Sequence, residues 1–576
     1  MFKPSFKHAV LASVAGLALA ACGGSGGSDG SPTGPIVQPP PPPAPVMTGL
    51  DTKSEAATFL LQAGLGASDA ETDAAMDKDA SAWVTQQLAM PPVLYRRKLE
   101  AFLPEVDARN YHNTGLVWQE MFTADAQLRV RMNFALSQLF VINDRDHFRR
   151  GYDMAEWMDL LDRNAFGNFR DLLGEVTTSP VMGRFLTYLY NQKGDERTGR
   201  KPDENYAREI LQLFSIGLVE LNMDGTVKTD ANGEPIETFT NEDIVGLARV
   251  FTGYAFEGSS YNYNDRVADH FRVPMRMYDQ FHSPLEKSFL GTTIPAGTPG
   301  EQSVETALDT IFAHPNVAPF ISRQLIQRFT ASNPSPAYVR RVSEAFETGS
   351  FTAPDGTRFG TGERGDLAAT ISAVLLDPSV HDGVLEPGEG KVREPVLKLA
   401  QFIRTYSGEP EKQAMIDRYN SLTDASGPLE GLAQSPLKSP SVFNFYRPAY
   451  IAPSTETGEA GYTAPELQIV NATSALGYAK FMSGFVTKRT SRGDGIGIPD
   501  YDEEVAIADD AAALVDSIDL KLLAGRMRGE TRAAMVETLE LLPVRMGSNH
   551  EEDDRRARIR IAMLMALTSP EYAVLD

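Results

Sequence analysis

Glu204, Asn205, Arg208 and Glu209 fall within one stretch, DENYAREILQLFSIG, running from Asp203 to Gly217. These are residue types that can do chemistry: carboxylates can pass protons as acid and base, and a guanidinium can clamp an anion or a developing oxyanion. At about 100° per residue, Glu204, Ser215, Arg208, Gln212, Asn205 and Glu209 share one arc of a helix, with Tyr206, Ala207, Ile210, Leu211, Leu213 and Phe214 opposite. Glu204 and Arg208 are four apart, as are Asn205 and Glu209, so each pair can meet on the helix surface. Three readings of the arc stay open. It is a solvated stripe, or it faces an internal cleft where Arg208 bridges several acceptors, or Arg208 ties neighbouring helices through buried carboxylates. On the catalytic reading Glu204 and Glu209 are the acid and base, Arg208 is the clamp and His282 joins them from a loop, with Asn205 and Arg249 as binding groups.

The elements that must position these residues are helical. Pro202 and Asp203 suit a first turn, where proline loses no needed hydrogen bond and a carboxylate meets the positive helix end, while Gly217 suits a left-handed stop. Thr52 with Glu55, Ser68 with Glu71 and Thr240 with Asp243 fit capping boxes, and the last of these starts a helix carrying Arg249. Apolar residues at spacings of three and four predict further helices over Asp79–Leu88, Ala124–Ile142, Asp153–Leu161, Phe169–Val176 and Val181–Tyr190. The same pattern returns over Glu301–Ala313, Val317–Thr330, Ala337–Glu347, Leu367–Leu376, Lys391–Tyr406, Leu520–Met527, Glu530–Leu541 and Arg555–Leu567. Arg129 and Arg131 read as solvated or capping groups rather than ligands. Leu218–Phe239 reads as a small β-hairpin region turning at Asp224-Gly225 and Asn232-Gly233. Its Asp230, Asn232 and Gly233 resemble part of a calcium loop, but Lys228 and Phe239 occupy ligand positions, so an EF-hand is rejected.

Glu257–Arg276 is a long loop bearing His270. His282 and Glu286 flank Pro284, which argues against a shared helical turn and against a metal pair. Ser435–Pro448, with three prolines, is irregular and aromatic, and Ser491–Ala506 is an excursion rich in Gly and Asp. No P-loop, GxGxxG, HExxH or GxSxG pattern is present, no metal site is assigned, and no cofactor is implied.

The totals bound the partners. In 576 residues, 54 basic against 77 acidic side chains give a formal charge of -23, which opposes nucleic acid as a partner. The single cysteine excludes an intramolecular disulfide framework. Lys3, Lys7 and His8 precede an apolar run from Ala9 to Ala21, too short to span a bilayer, and Cys22 follows at once. Residues 1–21 therefore read as an export signal. Leu19, Ala20, Ala21 and Cys22 resemble the lipobox of bacterial lipoproteins, which implies cleavage before Cys22, its acylation, and a membrane anchor. No aspartate follows Cys22, which in such lipoproteins favours the outer membrane. Residues 22–50, rich in Gly, Ser and Pro, form a tether. The expectation for 51–576 is a mostly α fold: one large multi-helix body with one small β-hairpin insertion and long loops.

From about Thr52 onward the chain resembles the bacterial family catalogued as domain of unknown function 1800. The likeness is carried by ATFLLQAGLG (57–66), LRVRMNFALSQLFVIND (128–144), RNAFGNFRDLL (163–173), DENYAREILQLFSIG, TNEDIVGLARVFTGY (240–254) and FHSPLEKSFLG (281–291). HPNVAPFISRQLIQRF (314–329), SPSVFNFYRP (439–448) and TSPEYAV (568–574) extend it to the C-terminus. Glu204, Asn205, Arg208 and Glu209 fall on the family's most recognisable motif, Thr252 and Gly253 on its second, and His282 and Lys287 on its third, which adds Lys287 to the binding candidates. Gln212 and Ser215 stand where the family usually has glutamate and threonine. The resemblance implies an exported protein without an established activity. It also implies a possible exported partner from another family, domain of unknown function 1501, which resembles sulfatases and phosphatases.

Overall fold

Helices begin where the sequence offers hydroxyls and carboxylates to free amides. The computed structural model describes residues 50–66, 68–103, 108–144, 151–262, 270–381, 388, 390–407, 422–488 and 496–575. Cys22 and the tether, the middle of the His270 loop and residues 491–495 of the Gly/Asp-rich excursion lie outside them. Thr52, Ser68 and Thr240 form reciprocal capping boxes with Glu55, Glu71 and Asp243, starting helices Lys53–Ala63, Asp69–Met76 and Asn241–Val250. Asp79 caps Ala80–Leu88 through the Ala82 amide at 2.6 Å. Residues 45–576 make one unit, mostly helical, with short two-stranded antiparallel sheets and isolated bridges as its extended pairings among the described residues.

Its core has an aromatic spine. Phe140, at the end of helix Gln127–Leu139, lies 5.3 Å from Phe214 and 6.2 Å from Phe169, and Phe169 lies 5.8 Å from Phe346. The spine joins helices Phe169–Thr178, Asn205–Gln212 and Pro336–Thr348, so the apolar face of the central stretch sits in the middle of the body. No helix among the described residues is long and apolar enough to cross a membrane.

Several boundaries differ from the periodicity. Helices Tyr95–Phe102, Asn110–Thr123 and Ala472–Val486 are additional. Val181–Tyr190 shrinks to Pro180–Phe185, and Leu520–Met527 becomes a five-residue π-turn, Asp519–Leu523, stopped by left-handed Ala524 (φ 57°). The hairpin region folds through bridges Val219 to Glu237, Leu221 to Val227 and Thr229 to Pro235. Four sheets join it: Tyr254–Ala255 with Arg276–Met277, Lys287–Phe289 with Thr292–Ile294, Phe351–Thr352 with Arg358–Phe359, and Lys391–Val392 with Val574–Leu575. Strands of two or three residues are shorter than any window in which a two-residue period can be read.

Arg129 and Arg131 are corrected from solvated to buried. Arg129 donates to the carbonyls of Met90 and Asp162, and Arg131 to that of Arg328 at 2.7 Å, so both do cap backbone.

Helix Gly151–Arg163 turns Asp159 and Asp162 into the packing against Tyr95–Phe102. Asp159 accepts the Arg96 amide at 3.2 Å and Asp162 the Val93 amide at 2.6 Å, while Oδ1 of each is buried without a partner. Burial pushes Asp159 up to about 7 and Asp162 to about 6 against those amide bonds, with Glu156 and Glu120 adding and Arg163 and Arg129 opposing. Folded values above the unfolded one mean that the native state binds these protons more tightly. Their stabilisation is complete below the unfolded value and is lost as pH rises through about 6 to 7. Asp159→Asn keeps an acceptor for Arg96 and removes the buried charge. It is expected to raise the thermal midpoint at alkaline pH and leave it nearly unchanged in mild acid; equal shifts in both would contradict this account.

Candidate functional site

The central helix runs from Asn205 to Gln212, shorter than the amphipathic stretch that contains it. Asp203 accepts the Asn205 amide at 2.8 Å, placing its carboxylate at the positive helix end. Its other oxygen takes the Thr187 hydroxyl at 3.0 Å, and Asn205 donates to that same hydroxyl at 2.8 Å rather than meeting Glu209. At the far end the amides of Ile216 and Gly217 both reach back to the Leu211 carbonyl, a wide turn that Gly217 closes at φ 73°. Tyr206 anchors the buried face, stacked on Tyr188 at 4.1 Å with its hydroxyl 2.7 Å from that of Thr177.

Of the three readings of the arc, the solvated stripe describes Arg208 and Glu204, and the inward ones are corrected. The Arg208 and Glu204 side chains are 42% and 38% exposed and meet at 3.6 Å, and the Arg208 guanidinium has no other hydrogen bond or ion pair among the described residues. Arg208 bridges neither several acceptors nor neighbouring helices, because the helix turns this edge outward while Tyr206, Ala207, Ile210 and Leu211 take the core. Ser215 leaves the arc as well: it is fully buried and donates to the Ile210 carbonyl. Glu204 and Glu209, five positions apart on one helix, point about 140° apart, so this helix alone does not set them across one bond. Glu209 differs in environment. One of its oxygens is buried without a partner, and burial, opposed by Arg208, pushes its carboxyl up to about 7.

His282, Arg249 and Lys287 gather into a second group, where helix Asn241–Val250 packs on strand Lys287–Phe289. His282 Nδ1 lies 2.8 Å from the Thr252 carbonyl, which can only accept, so Nδ1 carries the proton and Nε2 is left as a buried lone pair without a partner. Burial lowers the imidazole below its ordinary value despite that bond, which keeps it neutral. Ser283 donates its amide to the Thr252 hydroxyl at 2.9 Å, fixing the same turn. Lys287 is fully buried; burial first, then nearby Arg249, lowers its ammonium. Its amine reaches the Leu285 carbonyl at 3.3 Å, and Arg249 donates to that of Glu286 at 2.9 Å. Glu286 and His282 share no helix, as Pro284 requires.

The two groups lie on adjoining elements. The Asp203 amide donates to Asn191 at 3.0 Å, and the Asn191 carbonyl accepts the Gly253 amide at 2.8 Å, beside Thr252. Among the described residues, no hydrogen bond or ion pair joins Glu204, Arg208 or Glu209 directly to His282 or Lys287. No group of three or more His, Cys, Asp or Glu residues that could hold a metal occurs among the described residues.

A third cluster escaped sequence reasoning. Glu394, at the start of helix Pro395–Tyr406, is buried and accepts from Gln138 at 2.9 Å, from Gln434 at 3.2 Å and from the Tyr446 hydroxyl. Burial raises its carboxyl, but Lys391, Arg131 and Arg328 outweigh that and hold it below the usual range. Lys391 also pairs with buried Glu466, and Lys438 with buried Asp144 at 2.6 Å. The available signal was the run of serine, lysine and proline in SPLKSPSVFNFYRP, which neither period explains.

The fold and its sites define a class: a large, mostly helical protein with an outward polar stripe on its central helix and charged clusters buried behind it. The chain belongs to the family described as Protein of unknown function (DUF1800), whose model matches residues 58–574. Nothing matches among curated proteins or among solved structures.

Proposed function

We propose that this protein is a cell-envelope lipoprotein, anchored through Cys22, that binds or helps handle an exported partner protein or a surface polymer. The outer membrane is its proposed location. The observation that carries the binding role is the open edge of the central helix, where Arg208 and Glu204 contact each other at 3.6 Å beside exposed Asn205. Such a pair adds under about 1 kcal/mol to folding and can exchange its contact for a partner's charge. An exported protein of the domain of unknown function 1501 family is the first partner to test. Crosslinking and pull-down from solubilised membranes is expected to recover one specific partner or polymer with the wild type. Arg208→Ala should lose it while unfolding within about 1 kcal/mol of the wild type. Recovery of nothing specific, or equal capture by Arg208→Ala, would reject the role.

One observation favours a second reading, a hydrolase acting on envelope or extracellular polymer. Glu209, with a carboxyl near 7 and a buried unpartnered oxygen, has the protonation balance of a general acid or base. His282 offers a neutral lone pair on a nearby element. Polymer cleavage abolished by Glu209→Gln in a folded protein would replace the binding role with this one.

A further inference from the structure

A recess lies between helix Gln127–Leu139 and the Gln434–Phe445 loop, far in sequence from the central helix. Two serine hydroxyls line it, those of Ser435 and Ser439; the residues are 1% and 4% exposed, and neither hydroxyl has a hydrogen-bond partner. Buried hydroxyls normally find partners, and two orphans on one wall call for an occupant that supplies them. The amides of Gln138, Gln434 and Asn444 share the lining, and Phe445, half-buried, forms part of the rim.

The loop is held in a costly shape. Ala433, Leu437 and Asn444 take left-handed conformations at φ 56°, 60° and 61°, which side chains other than asparagine rarely adopt. Leu437 and Ala433 have no side-chain polar group to offset this locally. Distant contacts do so instead: the Asp144 amide donates to the Leu437 carbonyl at 3.1 Å, Asn143 to that of Ser439 at 3.0 Å, and Lys438 pairs with Asp144. The wall that presents the hydroxyls is therefore pinned before any ligand arrives.

Charge selects the ligand. Asp144 is matched by Lys438, and Glu394 behind Gln138 and Gln434 is matched by its cations, so among the described residues no unpaired charge faces the recess. What remains is the pair of unpartnered serine hydroxyls beside an aromatic ring, a combination that suits a ligand with hydroxyls on its edge and C–H groups on its face. The recess has room for about one water, about 10 Å³, the space one ligand hydroxyl would take.

We infer that the Ser435–Phe445 recess binds an uncharged saccharide unit, one hydroxyl or hydroxymethyl group entering between Ser435 and Ser439 while the ring rests on Phe445. This site stands apart from the central-helix edge and does not depend on what that edge binds. The test uses the purified full chain titrated with chitotriose, maltotriose and cellotriose, read by calorimetry and saturation-transfer NMR. At least one is expected to bind with a dissociation constant below about 1 mM, and the Ser435→Ala/Ser439→Ala double variant to weaken it about tenfold or more. Phe445→Ala, which leaves the buried hydroxyls in place, should weaken it too and keeps the test valid if the double variant does not fold. Absence of binding at about 10 mM of all three sugars, or binding that both variants leave unchanged, would overturn the inference.

Discussion

Glu394→Ala is expected to destabilise the protein by about 3–5 kcal/mol, among the largest losses any single side-chain truncation in this chain can produce. The carboxylate accepts from Gln138, Gln434 and Tyr446, and it is the acid that Lys391, Arg131 and Arg328 face in the interior. Removing it leaves amide and phenol donors unpaired and Arg131 and Arg328 short of a counter-charge where water does not reach, while Lys391 keeps Glu466. Glu394→Gln keeps one acceptor and the shape, so its loss should be smaller but still well above that of Arg208→Ala. Chemical denaturation of the three variants checks the order. A loss at Glu394→Ala no greater than at Arg208→Ala would mean that the cluster relaxes around the gap. The pH dependence has a definite sign: with the folded carboxyl below its ordinary value, the stabilisation is present above the unfolded value and lost as pH falls through the folded one.

Gly246→Ala is the second large effect, and it comes from space rather than charge. Gly246 sits in helix Asn241–Val250 where strand Lys287–Phe289 crosses, and a Cβ there would fall inside the Ser288 carbonyl oxygen. Backbone on both sides leaves no side chain free to yield, so helix and strand must separate. Overpacking costs typically run to about 1–3 kcal/mol, and a backbone clash belongs at or above the top of that range. Separation would also disturb Arg249, Thr252 and Lys287, whose contacts this packing assembles. The expected result is a lower denaturation midpoint together with faster amide exchange over 287–294. An unchanged midpoint would show that the two elements slide apart freely.

The two substitutions separate what was legible from what was not. Gly246 falls within a helix that the Thr240 and Asp243 capping box announces, yet nothing local says that a strand lies against it. Glu394 precedes Pro395, a readable helix start, yet its partners Gln138 and Tyr446 are 256 and 52 positions away. The same division holds at the central helix. Its amphipathic period, its Asp203 start and its Gly217 stop all lie within a few residues of one another, and all three appear in the fold. Its outward rather than inward polar edge depends on which elements pack beside it.

By itself the sequence determined the mostly helical class, the capping boxes, the hairpin turns at Asp224-Gly225 and Asn232-Gly233, and the family, because each rests on residues close together in the chain or on ordered motifs along it. The tertiary structure alone decided that Arg208 faces solvent, that Ser215 is buried, and that Asp144 meets Lys438 across 294 positions. Periodicity reports which side of an element is apolar. Whether a charge on the other side meets water or a counter-charge is set by whatever distant segment the fold brings against it.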